Sequence, residues 1–498
     1  MTRTRPLIVV TLPARRLSEV AAEIREAADA GADAAELRAD RLPREEIDGV
    51  GRLFPAPLPL VATYRSKAEG GEGDDEPERR RTVLRALAAH PFRWIDLEIA
   101  RDTDAAAELP PADRLGRIFS CHVDRGGEPA WSGPLGALES VEGIGKLVVR
   151  ASVTEALGPL RVHAERVGAE VVVLTTGASG PLFRAWSRRF GFPLVYAAPA
   201  AGGSSGGAVE PSQIPVDRLR PFLDADGEAP LFALCGRPVA HSLSPRIHAT
   251  WMREEGRTGL YVLLEIADDR EFLDALGPLA DGGFRGVNVT HPFKAVAAEA
   301  ASELGAGARA CGVANCLTFR GGEIVAENTD LLAILRRLGE LRAAGRWDGR
   351  EVVVVGAGGA ARATLAAARE LGAAATVRAR RAEAAHELAR AFGARDAPAE
   401  RPTPGALVVH ATDVGRSPGA TLDVPLAPLL TSRTHVLDWV YTPASSVVRD
   451  AARAASASYE DGWRLLVYQA AAAYEIWWGR PPPESSVDRL ASEGPCAA

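Results

Sequence analysis

The chain has 498 residues, 47% of them hydrophobic and 25% charged, a composition typical of a soluble globular protein with about two to four domains. Its formal net charge of −7 argues against a general nucleic-acid-binding protein. No apolar run is long enough to span a membrane, so the expected location is the cytoplasm. The five cysteines contain no C-x-x-C pair and predict neither a disulfide framework nor a metal site.

Eight short apolar runs alternate with alanine-rich helical patterns in the first half of the chain. Such runs are typical of parallel strands that are buried on both faces. Eight βα units in about this length predict an α/β fold of the (β/α)8 barrel type, closed by a helix over residues 214–223. The runs lie at residues 6–12, 34–40, 59–65, 94–100, 114–122, 145–151, 169–177 and 193–198.

Polar residues lie in these predicted strands or follow them, mostly at the carboxyl ends, which form the mouth where a (β/α)8 barrel carries its chemistry. Any one of them is more often structural, but their shared position favours an active site. A Gly/Ser-rich stretch over residues 200–213 is interpreted as a mobile loop over the mouth, and the domain boundary is expected near residues 224–230. The polar residues are Glu36, Arg38, Arg65, Glu98, His122, Lys146 and Arg184.

Lys146 stands out because the 58 basic residues include only three lysines, Lys67, Lys146 and Lys294. Positive charge in this chain is otherwise carried by arginine. A buried lysine can lose its proton and act as a nucleophile, whereas arginine stays protonated. Codon bias with three chance survivors is the alternative, and composition alone leaves both open.

The second half begins again with strands, and a helix is predicted from Phe293. This pattern predicts a small α/β domain followed by a dinucleotide-binding domain, in which residues 351–372 form a strand, a glycine turn and a helix. A helix over residues 463–479 is expected to pack across both domains. The predicted strands lie at residues 231–236, 261–266, 284–290, 351–355, 374–379, 406–411 and 434–440.

The glycine turn matches the pattern G-x-G-x-x-G/A over residues 356–361. Its first glycine permits a tight turn, and the second lets the backbone approach a pyrophosphate at the N-terminus of the following helix. Arg378, Arg380 and Arg381 follow the next strand, where an NAD enzyme usually places an acid. Guanidinium groups suit a 2′-phosphate, so NADP is favoured over NAD, with a solvated arginine run as the alternative.

Segments of the second half resemble shikimate dehydrogenases. CGRPVAHSLSPRIH (235–248) is similar to the shikimate-binding segment, and GVNVTHPFK (286–294) to the N-V-T-x-P-[YF]-K motif. VANCLTF, ENTD, LDWVYTP and LLVYQAAAAYEIWWG follow in order. The resemblance implies catalytic roles for Lys294 and Asp330. It implies substrate contacts from Ser242, Ser244, Asn288, Thr290, Asn315, Tyr441 and Gln469. It implies an NADP site at Gly356, Ala357, Gly358, Gly359, Ala360, Arg380, Arg381, Thr412 and Gly462.

The first half resembles type I 3-dehydroquinate dehydratases through AELRAD, TYRSKAEGG, DLEIA, SCHVD, GKLVVRA and GASGPLFRAW. The resemblance implies that Lys146 forms a Schiff base with the C3 ketone of the substrate. It also implies that His122 takes the C2 proton and assists loss of the C1 hydroxyl, and that Glu98 orients His122. The substrate would be held by Glu36, Arg38, Arg65, Arg184 and, on the lid, Gln213.

Several segments depart from the patterns of these families, including Leu331 and Leu332 in place of glycines and Leu465 in place of a methionine. The usual His-Asp pair is split as His122-Val123-Asp124, the lid reads V-E-P-S-Q with an acid at Glu210, and the N-R-T segment reads Ala379-Arg380-Arg381. The predicted domains are a barrel over residues 1–225, a substrate domain over residues 230–335 and 460–480, and an NADP domain over residues 336–459.

The resemblance over nearly the whole chain implies two consecutive reactions. They are dehydration of 3-dehydroquinate to 3-dehydroshikimate and reduction of that product to shikimate with NADPH. Three alternatives stay open: oxidation of quinate or shikimate, an active dehydrogenase fused to an impaired barrel, and a non-catalytic sensor of pathway intermediates. Direct transfer of the intermediate between the sites is a further open hypothesis.

Overall fold

The computed structural model describes residues 5–124, 127–167, 171–201, 208–225, 229–396, 402–403, 405–415, 421–441 and 447–494. The chain divides into two compact units. One consists of Met1–Leu231 with Thr258–Gly283, and the other of Phe232–Arg257 with Phe284–Ala498. Part of the expected boundary at 224–230 and part of the expected lid at 200–213 lie outside the described residues. The domain limits stay a prediction.

The strands of the described residues are numbered in chain order. They are β1 (Leu7–Thr11), β2 (Ala34–Arg38), β3 (Leu60–Thr63), β4 (Trp94–Glu98), β5 (Gly116–Val123), β6 (Ile144–Arg150), β7 (Val171–Thr176), β8 (Leu194–Ala197), β9 (Leu231–Gly236), β10 (Leu260–Glu265), β11 (Phe284–Val289), β12 (Glu303–Leu304), β13 (Cys316–Arg320), β14 (Glu323–Glu327), β15 (Glu351–Val355), β16 (Ala374–Arg378), β17 (Leu407–His410), β18 (His435–Asp438) and β19 (Ser458–Glu460).

The helices are numbered in the same way. They are α1 (Leu17–Asp29), α2 (Arg44–Ile47), α3 (Pro77–Ala88), α4 (Thr103–Ala106), α5 (Glu128–Leu138), α6 (Val153–Glu155), α7 (Arg161–Arg166), α8 (Gly180–Ala185), α9 (Ser187–Phe190), α10 (Val216–Asp224), α11 (Ser244–Glu254), α12 (Asp269–Asp281), α13 (Lys294–Glu299), α14 (Ala306–Cys311), α15 (Thr329–Ala343), α16 (Gly359–Glu370), α17 (Ala382–Phe392), α18 (Val447–Ala454), α19 (Trp463–Trp478) and α20 (Glu484–Glu493). No helix in the described part of the chain is long and apolar enough to cross a membrane.

Strands β1 to β8 form a nearly closed parallel barrel in the order β7-β6-β5-β4-β3-β2-β1-β8. Each of the eight predicted runs overlaps one of these strands, although β5 ends one residue after its run and β6 begins one residue before its run. The runs form strands because their β-branched and leucine side chains pack on both faces, and Val171, Val172 and Val173 are all buried. The predicted closing helix is α10. The fold class of the first half is therefore confirmed.

The first unit also contains β10 and α12, which lie in the second half of the sequence. The carboxylate of Glu271 in α12 accepts hydrogen bonds from the backbone N–H of Val153 at 2.8 Å and of Thr154 at 3.2 Å. The indole N–H of Trp186 donates to the backbone oxygen of Gly282 at 2.8 Å. These contacts hold the N-terminus of α6 and the C-terminal end of α8.

The second unit has a mixed sheet in the order β9-β11-β13-β14-β12 and a parallel sheet in the order β16-β15-β17-β18-β19. The parallel sheet with α16 after β15 is the dinucleotide-binding arrangement expected from the glycine turn. Helix α19 contributes Trp463 and Tyr474 to a core that also holds Trp251 of α11 and Val352 of β15. The indole N–H of Trp477 in α19 also donates to the backbone oxygen of Leu317 in β13 at 3.2 Å, so this helix packs against elements of both sheets, as predicted.

Strands β13 and β14 were not predicted. They form an antiparallel hairpin whose turn is Gly321-Gly322. Both glycines have positive φ angles, 56° and 88°, which only glycine adopts readily. The turn is a recognisable hairpin signal, but the flanking strands, CLTFR and EIVAE, show no regular alternation of apolar and polar residues.

Candidate active sites

Lys146 lies in the interior of the barrel on β6, with its side chain 4% exposed. Its ammonium nitrogen contacts Oδ2 of Asp96 and lies 4.0 Å from Oε1 of Glu36. The ring of Tyr196 lies 4.6 Å from the same nitrogen. Lys146, Glu36 and Tyr196 line a cavity of about 340 Å³. Lys67, in contrast, is exposed.

Asp96 on β4 is the carboxylate against Lys146, and it was not among the predicted site residues. Its Oδ1 accepts hydrogen bonds from Ser120 Oγ at 2.6 Å and from Arg65 Nη2 at 2.7 Å. Burial alone would raise the pKa of Asp96, but the charges of Arg65 and Lys146 hold it below its usual range. Asp96 is therefore an ionised counter-ion beside the lysine.

His122 on β5 is paired with Glu69, which was also not predicted. Oε2 of Glu69 lies 3.0 Å from Nδ1 of His122 and accepts its backbone N–H at 3.1 Å. Burial, and then the charges of Arg65 and Lys146, lower the pKa of His122 well below its usual value. Burial raises the pKa of Glu69 to about 7. The ring is therefore a neutral imidazole whose Nδ1 faces a carboxylate.

The prediction that Glu98 orients His122 is wrong. Glu98 accepts hydrogen bonds from the backbone N–H and the hydroxyl of Ser66, both at 2.7 Å. It also lies 3.3 Å from Arg65 and 3.5 Å from Arg80. Glu98 therefore fixes the turn after β3 and positions Arg65 and Arg80, because the side chain of Glu98 points to the base of the loop that carries Glu69.

The other predicted residues of the barrel also line the cavity or lie beside it. Arg38 is held by Asp40 at 2.8 Å. Arg184 donates to the backbone oxygens of Thr175, Gly180 and Tyr196 at 2.6–3.0 Å. Burial lowers the pKa of Arg184 to about 10, and the charge of Glu210 partly opposes that shift.

The lid residue Gln213 reaches the barrel interior. Its amide nitrogen donates to Thr11 Oγ1 at 3.1 Å, and that hydroxyl donates to Glu36 at 2.9 Å. Thr63 donates to the other oxygen of Glu36 at 2.8 Å. The predicted pair Glu36 and Gln213 therefore lies on one hydrogen-bonded chain at the mouth, with Thr11 as an unpredicted link.

The second site lies in the other unit and is centred on Lys294 and Asp330, whose charged atoms are 2.5 Å apart. Lys294 begins α13, and Asp330 lies in the first turn of α15. The amide nitrogen of Asn315 donates to Asp330 Oδ1 at 2.9 Å and thereby fixes the carboxylate. A lysine held against a fixed carboxylate can deliver a proton to a substrate oxygen.

A cavity of about 110 Å³ surrounds this pair. The hydroxyls of Ser242 and Ser244 lie 3.2 Å apart on its wall. Asn288 donates to the backbone oxygen of Asn315 at 3.1 Å, and Gln469 donates to that of Leu466 at 3.0 Å. Every predicted substrate residue of this half lines the cavity, namely Ser242, Ser244, Asn288, Thr290, Asn315, Tyr441 and Gln469.

The glycine turn between β15 and α16 fits a dinucleotide. Gly356 has a φ angle of +133°, and a Cβ there would lie 2.5 Å from the backbone oxygen of Ala411. A Cβ on Gly358 would meet no atom within 4 Å, and no side chain caps α16, so its N-terminal N–H groups are open to a phosphate. A Cβ on Gly359 would lie 2.8 Å from Cδ of Lys294, so the turn adjoins the catalytic pair.

The remaining predicted cofactor residues lie around this turn or beyond the next strand. Gly462 follows β19, and a Cβ there would lie 2.3 Å from the backbone oxygen of Trp439. Arg380 and Arg381 follow β16 and are exposed, with Arg380 3.2 Å from Asp423. Thr412 follows β17, and a Cβ added to Gly356 would lie 3.2 Å from the methyl carbon of Thr412.

Three family models match the chain. Type I 3-dehydroquinase matches residues 8–230, the shikimate dehydrogenase substrate binding domain residues 234–317, and the shikimate 5'-dehydrogenase C-terminal domain residues 462–490. A shikimate dehydrogenase (NADP(+)) of Acidiphilium cryptum is 38% identical over 263 residues, which are 51% of this chain and 93% of the relative. The chain belongs to the shikimate dehydrogenase family.

A bifunctional 3-dehydroquinate dehydratase/shikimate dehydrogenase of Arabidopsis thaliana, a chloroplastic protein, is 26% identical over 507 residues. The match covers 96% of this chain and 83% of the relative. The chain is thus a type I 3-dehydroquinase fused to a shikimate dehydrogenase. A crystal structure of the Thermus thermophilus shikimate dehydrogenase with NADP(H) and shikimate is 31% identical, covers 53% of this chain and 99% of that protein, and has a TM-score of 0.47.

These findings confirm the predicted fold class, the two activities and NADP as the cofactor of the shikimate dehydrogenase part. Shikimate-pathway compounds are the small-molecule partners. The roles of individual residues are not decided by these matches and stay predictions.

Proposed function

We propose that Lys146 is the nucleophile of the dehydratase site. Its Nζ attacks the C3 ketone of 3-dehydroquinate, and the ketone oxygen leaves as water when the imine forms. The contact between Lys146 and Asp96 is the observation that supports this role. A protonated imine keeps the positive charge on nitrogen, so Asp96 is its counter-ion and favours the form that acidifies the C2 hydrogen.

His122 is the base of this site. Its lowered pKa leaves the ring neutral, so Nε2 accepts the C2 proton while Nδ1 donates to Glu69. The imidazolium that forms then gives its proton to the C1 hydroxyl, which leaves as water. A second water hydrolyses the imine, so that one 3-dehydroquinate yields one 3-dehydroshikimate and one net water.

The substrate carboxylate binds at the mouth, beside Arg184 and Gln213. Arg184 is fixed by three backbone carbonyl groups and supplies a positive charge that needs no reorganisation. Glu36 and Arg38, both on β2, hold ring hydroxyls. Arg65 is engaged by Asp96 and Glu69, so its role is to position those carboxylates rather than to grip the substrate.

In the dehydrogenase site Lys294 gives a proton to the carbonyl oxygen of 3-dehydroshikimate, and Asp330 holds its ammonium group. NADPH, when bound at the glycine turn, supplies the hydride to the carbonyl carbon. The result is the hydroxyl of shikimate. Ser242 and Ser244 bind the substrate carboxylate from the wall of the cavity. Two hydroxyls there favour shikimate over quinate, and a cytoplasmic location stays a prediction.

Borohydride trapping tests the central residue of this proposal. The purified chain is treated with borohydride in the presence of 3-dehydroquinate and digested with a protease. The masses of the peptides are then measured by mass spectrometry. We expect a reduced adduct on the peptide that contains Lys146, and none in Lys146→Ala. Lys67→Ala is the matched control, because this lysine is exposed and should leave the adduct unchanged. An adduct that persists in Lys146→Ala would overturn the assignment.

A further inference from the structure

A buried histidine of the NADP domain takes no part in the roles described above. His410 ends β17 and is 1% exposed, and its neighbour across the sheet, Asp438 of β18, is fully buried. Nδ1 of His410 lies 2.8 Å from Asp438 Oδ1. Nε2 of the same ring lies 2.7 Å from the hydroxyl of Thr412. The three side chains form one hydrogen-bonded chain that leads out of the core.

The partners of Asp438 fix the direction of this chain. Asp438 accepts a hydrogen bond from the backbone N–H of Val440 at 3.0 Å and from the hydroxyl of Tyr459 at 3.1 Å. A carboxylate that receives these hydrogens accepts from His410 as well, so Nδ1 carries the ring hydrogen. When the ring carries only this hydrogen, Nε2 is an acceptor and the hydroxyl of Thr412 donates to it.

Thr412 lies at the glycine turn. A Cβ added to Gly356 would lie 3.2 Å from the methyl carbon of Thr412. The backbone N–H of Val414 donates to the hydroxyl oxygen of Thr412 at 3.2 Å. Thr412 is half-buried, whereas His410 is sealed in the core. The single hydrogen of the Thr412 hydroxyl is donated to His410. Toward a ligand, this hydroxyl can therefore act only as a hydrogen-bond acceptor.

We propose that His410 and Asp438 hold Thr412 as a hydrogen-bond acceptor that binds a donor group of NADP. The donor is a ribose hydroxyl or the carboxamide amino group, because a phosphate at pH 7 offers only acceptors to such an oxygen. His410 and Asp438 are positioning residues, and Thr412 is the residue that touches the cofactor. The inference rests on NADP lying at the glycine turn.

Three single variants, and the double variant that combines Thr412→Val with His410→Asn, test this inference. Thr412→Val removes the hydroxyl but keeps the shape, and Thr412→Ser keeps the hydroxyl. His410→Asn retains an amide that can donate to Asp438 but is too short to reach Thr412. The dissociation constant of NADPH is measured by fluorescence titration of the full chain, and the KM for 3-dehydroshikimate and the dehydratase rate report whether each unit is intact.

We expect Thr412→Val and His410→Asn to raise the dissociation constant of NADPH by about 3- to 10-fold, the range of one net hydrogen bond. Thr412→Ser should stay near wild type. The double variant should lose no more than Thr412→Val alone, because both changes remove one chain of contacts. The KM for 3-dehydroshikimate and the dehydratase rate should not change.

Unchanged NADPH binding in Thr412→Val, or fully additive losses in the double variant, would overturn the inference. Gly358→Ala distinguishes a wrong role for Thr412 from a wrong position for NADP, because the added Cβ would occupy the space next to the glycine turn. If Gly358→Ala weakens NADPH binding and Thr412→Val does not, the cofactor site stands and the role of Thr412 falls. A 3-acetylpyridine analogue of NADP, which lacks the carboxamide amino group, identifies the donor. If Thr412→Val no longer weakens binding of this analogue, the donor is the carboxamide. If Thr412→Val still weakens it, the donor is a ribose hydroxyl.

Discussion

The carboxylate of Glu69 lies 3.0 Å from Nδ1 of His122, although 53 positions separate the two residues in the chain. Glu69 comes from the loop after β3, and His122 from near the end of β5. Their contact joins an acid whose pKa burial raises to about 7 with a histidine whose pKa is held low. The pair therefore makes the dehydratase reaction depend on pH near neutrality.

We predict that kcat/KM of the dehydratase is constant above about pH 7 and falls below it. Above this pH Glu69 is ionised and accepts the Nδ1 hydrogen, and below it Glu69 is protonated and no longer stabilises the imidazolium. Glu69→Gln should abolish this dependence and lower the rate at pH 8 by about 10-fold or more. The dehydrogenase reaction of the same chain is the control, and an unaltered profile in Glu69→Gln would contradict the account.

Asp96→Asn should lower the dehydratase kcat by about 100-fold, a loss expected when a fixed charge no longer opposes a developing cation. Borohydride trapping of the imine should fall with it. Asp102→Asn is the matched control, because it removes another buried carboxylate, one paired with Arg80. We expect Asp102→Asn to lower the unfolding temperature with little change in kcat. Equal losses of kcat in both variants would show that Asp96 acts only through stability.

Glu210→Gln should lower the KM for 3-dehydroquinate several-fold with little change in kcat. Glu210 lines the barrel cavity near Arg184, so its negative charge opposes an anionic substrate. A glutamine oxygen can still accept the backbone N–H of Ser212, which keeps the lid turn. Steady-state rates at low ionic strength measure the effect, with Glu108→Gln as a control outside the cavity. A KM that rises instead would mean that Glu210 helps to close the lid.

Gly359→Ala should reduce the dehydrogenase kcat by about 10-fold, because its Cβ would lie 2.8 Å from Cδ of Lys294 and displace the proton donor. Gly358→Ala meets no protein atom within 4 Å and should raise only the KM for NADPH. The dehydratase rate should be unchanged in both. If the two alanines affect kcat equally, the turn does not constrain Lys294.

The catalytic pair of the second site was accessible from the sequence because it rests on short local motifs. Lys294 and Asp330 lie 36 positions apart, but each lies in the first turn of a helix, at a fixed place in its motif. Asp96 also had a signal, since Asp96 and Glu98 alternate within an apolar strand and must share one face. The family motif drew attention to Glu98 alone.

Glu69 could not be placed from the sequence, because its position depends on how one loop turns back over the barrel. Gly70 has a φ angle of +79°, and a Cβ on Gly71 would lie 2.2 Å from the backbone oxygen of Arg65. Both features belong to a tight turn that carries Glu69 back toward β5. A glycine pair indicates such a turn but not which strand the turn faces.

Oxidation of NADPH with 3-dehydroquinate as the only added substrate tests the central claim most directly. The account predicts steady oxidation by the purified chain, no oxidation by Lys146→Ala, and recovery in that variant when 3-dehydroshikimate is supplied. This result requires both reactions and their order on one chain. Rapid oxidation with 3-dehydroshikimate but none with 3-dehydroquinate in the wild-type chain would contradict it, and would leave a dehydrogenase joined to an inactive barrel.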